Sequence, residues 1–303
     1  MRKIFIITIL IFFANDTFAQ ANLLNAKNPL EIGDSSASSK AIGEFMDYED
    51  VDDKDILWSK VVYEFIDLNE RLNFPLLFPV NDTKYDDTRK SLWRVIRENI
   101  ENGKISEVYD SNNDNFTEAS RIIGKDSTDL EANIYKNYNI TDIYKSKYVP
   151  ESFVPREIAS SADIFGYVIK GVWYFDKIHA ELRYRLLAIQ PYGTDLKTSV
   201  DGEETETGYF WIWYPSIREI LDDHLVFNDK NNNNRVSFDE LLINRRFSSY
   251  IYKYDNVYGD REIRDYIRQR DNESYAQWQT RIVMESERIK KEILDFEIDM
   301  WGY

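Results

Sequence analysis

The sequence contains no cysteine, and this absence removes several kinds of chemistry at once. A 303-residue chain without thiols forms no disulfide bonds and holds no metal through thiolate ligands. We also expect no lipid anchor of the bacterial lipoprotein kind, since that anchor is attached to a cysteine. The folded protein must therefore be stabilised by an ordinary apolar core, which a hydrophobic content of 43% can supply.

Histidine and glycine are scarce, and the motifs that use them are missing. The two histidines are His179 and His224, and the sequence has no GxSxG turn that would present a nucleophile. The 11 glycines form neither a P-loop nor a GxGxxG motif, the two common cradles for nucleotide phosphates. We therefore predict that the protein is not an enzyme, with no catalytic, cofactor-binding or metal-binding residues and no cofactor.

Basic residues are in the minority. The chain has 54 Asp and Glu residues against 38 Lys and Arg residues, which gives a formal net charge of −16 at pH 7. A surface of this sign repels phosphate backbones and anionic lipid headgroups. We therefore expect no nucleic-acid partner.

Long hydrophobic runs are confined to the N-terminus. Arg2 and Lys3 precede an apolar run over residues 4–13, and small residues at 17 and 19 suit a cleavage site. This is the pattern of a secretory signal peptide over residues 1–19. The run is about half the ~20 residues that a membrane-spanning helix needs, so we expect an exported, soluble mature chain that begins at Gln20.

The mature chain divides into three predicted regions. Residues 20–52 are rich in Ser, Ala and Asp and suggest a flexible arm. Residues 53–160 are predicted to be mainly helical, with an irregular, Asn-rich linker after about residue 110. Residues 161–303 are predicted to form an antiparallel sheet followed by C-terminal helices.

Two helices are predicted in the N-terminal part. The first is capped by Asp53 or Asp55 and runs to Leu72, because apolar residues recur at spacings near three and four. The second begins at residues 87–88 and ends near residues 102–103. Between them, two prolines within residues 74–79 favour an extended connector, and residues 105–109 favour a short strand.

The strongest β signal lies in residues 162–215. We expect three or four antiparallel strands with helices on one face, and a long acidic hairpin over residues 192–208. Residues 260–270 and 274–301 favour helices, the second one long. The predicted fold class is α+β: a small antiparallel sheet with packed helices, a helical N-terminal part and a long C-terminal helix.

One local pattern resembles a calcium-binding loop. Residues 229–240 place oxygen-bearing side chains at loop positions 1, 3, 5, 9 and 12, as an EF-hand requires. Asn234 stands where glycine makes the sharp turn, and few of the ligands are charged. The alternative is structural: Ser237 begins a helix as its N-cap, and Glu240 completes a capping box.

A carbohydrate-active enzyme is a further alternative. Glycoside hydrolysis uses two carboxylates beside an aromatic cleft, and this chain is both acidic and rich in aromatic residues. Fifty-four acidic residues supply such pairs by chance, however, and sequence spacing does not report the distance between carboxylates. The hypothesis depends on two carboxylates that converge in the folded protein.

Several long blocks of sequence resemble the GldN/PorN family of Bacteroidetes. These blocks are QANLLNA (20–26), IDLNERLNFPL (66–76), GVWYFDK (171–177), LINRRFSSYIY (242–252), NVYGDR (256–261) and DFEIDMWGY (295–303). They occur in one order over essentially the whole mature chain, and the likeness is weakest over residues 110–160 and 193–208.

The resemblance implies a non-enzymatic subunit of the type IX secretion and gliding machinery. Members of this family lie in the periplasm, associate with the outer-membrane lipoprotein GldK/PorK in ring assemblies, and contact the GldL–GldM motor through GldM/PorM. It also implies self-association within the ring and attachment to the outer membrane through a partner. Three segments are candidates for these contacts: the arm before Val51, the loop 193–208 and the C-terminal helix.

The two interpretations of residues 229–240 predict different responses to calcium. If Ser237 acts only as an N-cap, millimolar calcium should leave the Tm of the mature protein unchanged in a thermal melt. A rise in Tm that EGTA reverses would instead show that the loop binds the ion.

Overall fold

The computed structural model describes residues 47–81, 89–123, 135–137, 156–194, 206–226, 236–257 and 259–301. The predicted signal peptide, the arm up to residue 46, most of the predicted linker, the tip of the acidic hairpin and residues 227–235 lie outside these ranges.

Ten strands and six α-helices occur within the described ranges. The strands are β1 (Ile56–Asp67), β2 (Glu107–Asp110), β3 (Arg121–Ile123), β4 (Tyr135–Asn137), β5 (Arg156–Ile158), β6 (Ile164–Asp176), β7 (Glu181–Thr194), β8 (Glu206–Gly208), β9 (Phe210–Trp213) and β10 (Tyr250–Tyr254). The helices are α1 (Phe74–Leu77), α2 (Leu92–Glu101), α3 (Tyr214–Asp222), α4 (Phe238–Ile243), α5 (Ile263–Tyr266) and α6 (Tyr275–Trp301).

Eight of these strands form one antiparallel sheet in the order β10-β1-β6-β7-β9-β2-β3, with β8 paired to β7. Its centre is the long β6–β7 hairpin, as predicted from the β-formers in this region. β4 and β5 pair separately. The α+β class with an antiparallel sheet and a long C-terminal helix is confirmed, and the sheet is larger than the three or four strands expected.

The helix predicted from residue 53 to Leu72 is wrong, because residues 56–67 form strand β1. Asp53 and Asp55 belong only to a single 3-10 turn before it. β1 lies between β10 and β6, and its second half is buried on both faces, so the alternation expected of a strand is lost. The apolar residues of this segment recur at spacings near three and four, as they do in a helix. The β-branched and aromatic content of the segment nevertheless favours a strand.

Two further helices and one connector differ in smaller ways from the predictions. α2 begins after Ser91, whose hydroxyl accepts a hydrogen bond from the Arg94 N–H at 3.1 Å, while the predicted start at 87–88 lies outside the described residues. The connector 74–79 is not fully extended but includes the single turn α1, with Pro75 in its first turn. The helix predicted over residues 260–270 is reduced to the four residues of α5.

The last residues of the predicted arm are ordered against β7. The Tyr48 hydroxyl donates to the Leu186 carbonyl at 3.2 Å, and the Arg185 guanidinium donates to the Glu49 carbonyl at 2.6 Å. Val51 is buried. Residues 47–51 therefore cover part of β7 beside which no described strand lies, and they protect this stretch of sheet edge.

The two faces of the sheet carry different layers. Val62 and Ile66 of β1 belong to apolar clusters that include residues of α2, α3, α4 and α6. Tyr63 of the same strand points to the other face, where the buried cluster contains no residue of a described helix. The expectation of helices on one face is thus met in the described part of the chain. The division of the chain at residue 160 stays a prediction, and strands from both sides of it share the sheet.

A buried ion pair joins β1 to the loop before β10. Glu64 is fully buried, and its carboxylate lies 2.7 Å from the Arg245 guanidinium and also accepts a hydrogen bond from Ser249. The guanidinium stacks over Tyr184 with 4.2 Å to the ring centroid. Burial alone would lower the pKa of Arg245, but the Glu64 charge outweighs it and the pKa is raised. The pair holds the loop against the centre of the sheet.

Replacing Glu64 should destabilise the fold strongly. Glu64→Ala leaves the Arg245 charge buried without its counter-ion, a loss of about 3–5 kcal/mol in the free energy of unfolding. Urea unfolding followed by tryptophan fluorescence would measure it. Glu118→Ala is the matched control, because the exposed Glu118–Arg121 pair should contribute less than about 1 kcal/mol. Equal losses in the two variants would contradict the assigned role of Glu64.

Candidate interaction surface

A groove of about 620 Å³ opens beside the edge of the sheet. Its floor is the face without described helices, and the start of α6 forms part of its wall. Seven of its lining residues are aromatic: Phe65, Tyr192, Trp211, Tyr250, Tyr252, Tyr275 and Trp278. We treat this groove as the candidate site.

The aromatic floor follows from strand geometry. Side chains alternate between faces, so Tyr250 of β10 reaches the same side as Phe65, its partner in register on β1. The Phe65 ring lies 5.4 Å from Tyr192 and 5.6 Å from Tyr250, centroid to centroid. All three side chains are only half-buried. Rigid rings of this kind supply a large contact area at little entropic cost, which suits protein recognition.

A charged cluster closes one end of the floor. The Asp114 carboxylate lies 2.5 Å from the Lys253 ammonium, and the Asp114 carbonyl accepts from Lys170 at 2.9 Å. Both ammonium groups lie over the Tyr63 ring, at 4.4 and 5.2 Å from its centroid. Asp114 lies in the loop between β2 and β3, so this cluster holds that loop against the sheet.

Burial and ion pairing shift the pKa of Asp114 in opposite directions. Burial would raise the pKa of Asp114, but hydrogen bonds from Lys253 and Tyr63 outweigh it and the pKa is lowered. Burial lowers the pKa of Lys170. Burial also raises the pKa of Tyr252, so this residue offers a neutral hydroxyl at physiological pH. The floor is therefore a set of neutral rings beside a paired charge cluster.

The rim brings together two of the three segments predicted to make contacts. Glu206 and Thr207 of β8 form the base of the acidic hairpin, and Tyr275 and Trp278 begin the C-terminal helix. Tyr275 is 66% exposed and therefore available to a partner. The third segment, the arm, ends along β7, and its residues 47–51 do not line the groove.

The pairing of Asp114 argues against a role for this carboxylate as a glycosidase general acid. A general acid in such a site needs a raised pKa, whereas pairing with Lys253 lowers the pKa of Asp114. A second rim carboxylate, Glu262, lies 2.5 Å from the Arg264 guanidinium. The two histidines make local contacts elsewhere: His179 with Asp176 at 2.7 Å, and His224 with the Ile220 carbonyl at 2.8 Å.

The structure supports the capping role of Ser237. Its hydroxyl accepts from the Glu240 N–H at 3.1 Å and begins α4, as predicted. The Glu240 carboxylate lies 3.4 Å from Arg246. The candidate calcium ligands between residues 229 and 235 lie outside the described residues. Within the described ranges, no three His, Asp or Glu side chains cluster in a way that would hold a metal.

Sequence reasoning missed the contribution of β10. The sequence Tyr-Ile-Tyr-Lys-Tyr over residues 250–254 is rich in aromatic and β-branched residues, which favours a strand. That composition alone would have predicted the strand. It would not have shown which ring faces the groove, because this depends on the β-bulge in the pairing of β10 with β1.

The fold and the groove define an α+β protein with an aromatic, half-exposed groove at one sheet edge. The chain belongs to the GldN family, because the family model described as "Gliding motility associated protein GldN" matches residues 51–302. This family is associated with gliding motility and type IX secretion. No curated protein matches the chain. Among the described helices, none has the length and apolar character needed to cross a bilayer.

Removing the Asp114 charge should give a pH-dependent loss of stability. The folded pKa lies below the ordinary value of 3.8, so the carboxylate stabilises the fold above pH 3.8 and loses this effect as the pH falls through its folded pKa. Asp114→Asn should cost about 1–3 kcal/mol at pH 7, because Lys253 loses its charged partner. The difference in urea midpoint between the variant and the wild type should stay constant from pH 7 to about pH 4 and shrink as the pH falls further towards the folded pKa of Asp114. A difference that does not shrink below pH 3.8 would contradict the assignment.

Proposed function

We propose that this protein is a periplasmic, non-enzymatic subunit of the type IX secretion and gliding machinery. It assembles into a ring with the outer-membrane lipoprotein GldK/PorK and contacts the motor through the periplasmic part of GldM/PorM. The observation that carries the proposal is the match to the GldN family over residues 51–302, which includes nearly all of the described structure.

The sequence features support an envelope location. The predicted signal peptide directs the chain out of the cytoplasm, and the absence of cysteine leaves no residue for a lipoprotein anchor. A subunit of this kind stays at the outer membrane by binding a protein that is itself anchored there. Its own surface must therefore supply the affinity.

The groove is the surface that we assign to such a partner. Aromatic residues carry much of the energy of protein interfaces when they lie in partly desolvated pockets. Here Tyr250 and Tyr192 are half-buried, Tyr275 is largely exposed, and Phe65 holds the first two rings in place.

The assembly can be tested by co-purification from detergent-solubilised envelopes. Tagged wild-type protein should recover GldK/PorK, whereas Tyr250→Ala combined with Tyr275→Ala should reduce the recovery about tenfold or more, as expected for loss of central aromatic contacts. Circular dichroism and urea unfolding would establish that the variant is folded.

Ile178→Ala is the matched control, because this exposed apolar residue lies at the β6–β7 turn and not in the groove. It should recover the lipoprotein as well as the wild type does. Recovery of wild-type protein alone and monomeric from intact envelopes would refute the assembly. Full recovery by the folded groove variant would refute the groove as its contact surface.

A further inference from the structure

Helix α6 carries two stripes on opposite sides. Ile282, Ser286, Ile289 and Ile293 are buried against the sheet. The Ser286 hydroxyl accepts from the Ile251 N–H at 2.7 Å, and Phe296 stacks on Trp58 at 4.7 Å. These contacts fix the rotation of the helix about its own axis, so its outer side always faces away from the sheet.

The outer side has the spacing of a helix–helix interface. Exposed residues recur there in alternating steps of four and three, which is the repeat of a coiled-coil seam. This outer stripe consists of Thr280, Met284, Glu287, Lys291, Leu294 and Ile298. Met284, Leu294 and Ile298 are 65%, 53% and 59% exposed, respectively.

Exposed apolar side chains are concentrated on this helix. Five of the eleven large apolar side chains exposed in the described part of the chain belong to α6, and three of them belong to the outer stripe. Single exposed apolar residues need no explanation, but a set at seam positions along one helix indicates a surface that another helix covers.

We propose that the outer stripe binds the same stripe of a second copy. The two helices run antiparallel about a two-fold axis that crosses the outer side of the helix at the level of residue 289. The stripe is self-complementary in this register. Met284 faces Leu294 of the second copy, and Glu287 faces Lys291 of the second copy. Thr280 and Ile298 make the outer layer.

The charges at the centre favour this orientation. In a parallel pair, Glu287 would meet a second Glu287 and Lys291 a second Lys291, so both central layers would repel. The antiparallel pair replaces them with two opposite-charge contacts. Within one chain Glu287 pairs with the half-exposed Lys290 at 2.9 Å, and such a surface pair is weak enough to rearrange.

The contact differs from those of a ring. A two-fold contact is isologous and closes on itself, whereas ring neighbours meet head to tail through two different surfaces. The inference therefore goes beyond the proposed function and does not depend on it. The stripe spans about 27 Å of helix, at 1.5 Å per residue, so the interface is small and its occupancy should depend on concentration.

A charge swap on the mature full-length chain tests the register. Sedimentation velocity over a concentration series should show reversible dimers of the wild type. Lys291→Glu should weaken dimerisation at least tenfold, because each two-fold contact then sets Glu287 against a carboxylate. Adding Glu287→Lys should restore it, since the opposite charges again face each other with their order reversed.

A cysteine pair tests the orientation, helped by the absence of native cysteines. Mixing Met284→Cys with Leu294→Cys protein under mild oxidation should give far more disulfide dimer than either variant alone. Each chain then carries one cysteine, so every disulfide that forms joins two chains.

Four results would overturn the proposal. The proposal is wrong if the wild type stays monomeric up to about 100 µM. It is also wrong if the double charge variant dimerises as poorly as Lys291→Glu, or if Met284→Cys crosslinks to itself as much as the mixture does. The absence of crosslinking in the mixture would overturn it as well.

Discussion

The antiparallel pairing of β1 with β6 is the contact on which the rest of the structure depends. It brings residues 56–67 beside residues 164–176, so that the early part of the chain becomes the inner strand of a sheet built mostly by the later part. β10 then adds to the free side of β1. The buried Glu64–Arg245 pair helps to hold the loop that leads into β10.

The groove is a consequence of this arrangement. Its floor needs Phe65 from β1, Tyr192 from β7 and Tyr250 from β10 on one face, and only the observed strand order places them together. The Asp114–Lys253 contact adds the β2–β3 loop to the same face. Four distant parts of the chain thus meet in one surface.

Helix α6 connects this surface to a second one. Its first turns contribute Tyr275 and Trp278 to the groove, and the remaining turns present the outer stripe to solvent. The buried side of the helix fixes the position of both surfaces, because Ile289 and Ile293 are anchored in the core. A partner in the groove and a second copy on the helix would therefore bind a rigid element, and neither contact requires the other to form.

The sequence by itself determined the compartment signal, the absence of thiol chemistry, the α+β class, the β6–β7 hairpin and the C-terminal helix. These follow from composition or from local patterns, since a β-rich hairpin and a long amphipathic helix are specified by neighbouring residues. Long blocks of similar residues also identified the family. The tertiary structure decided the rest: β1 is a strand because both of its faces are covered by distant elements, which removes the alternation that a local pattern needs. It also decided which tyrosines line the groove and which face of α6 is free, since exposure is set by contacts between residues far apart in the chain.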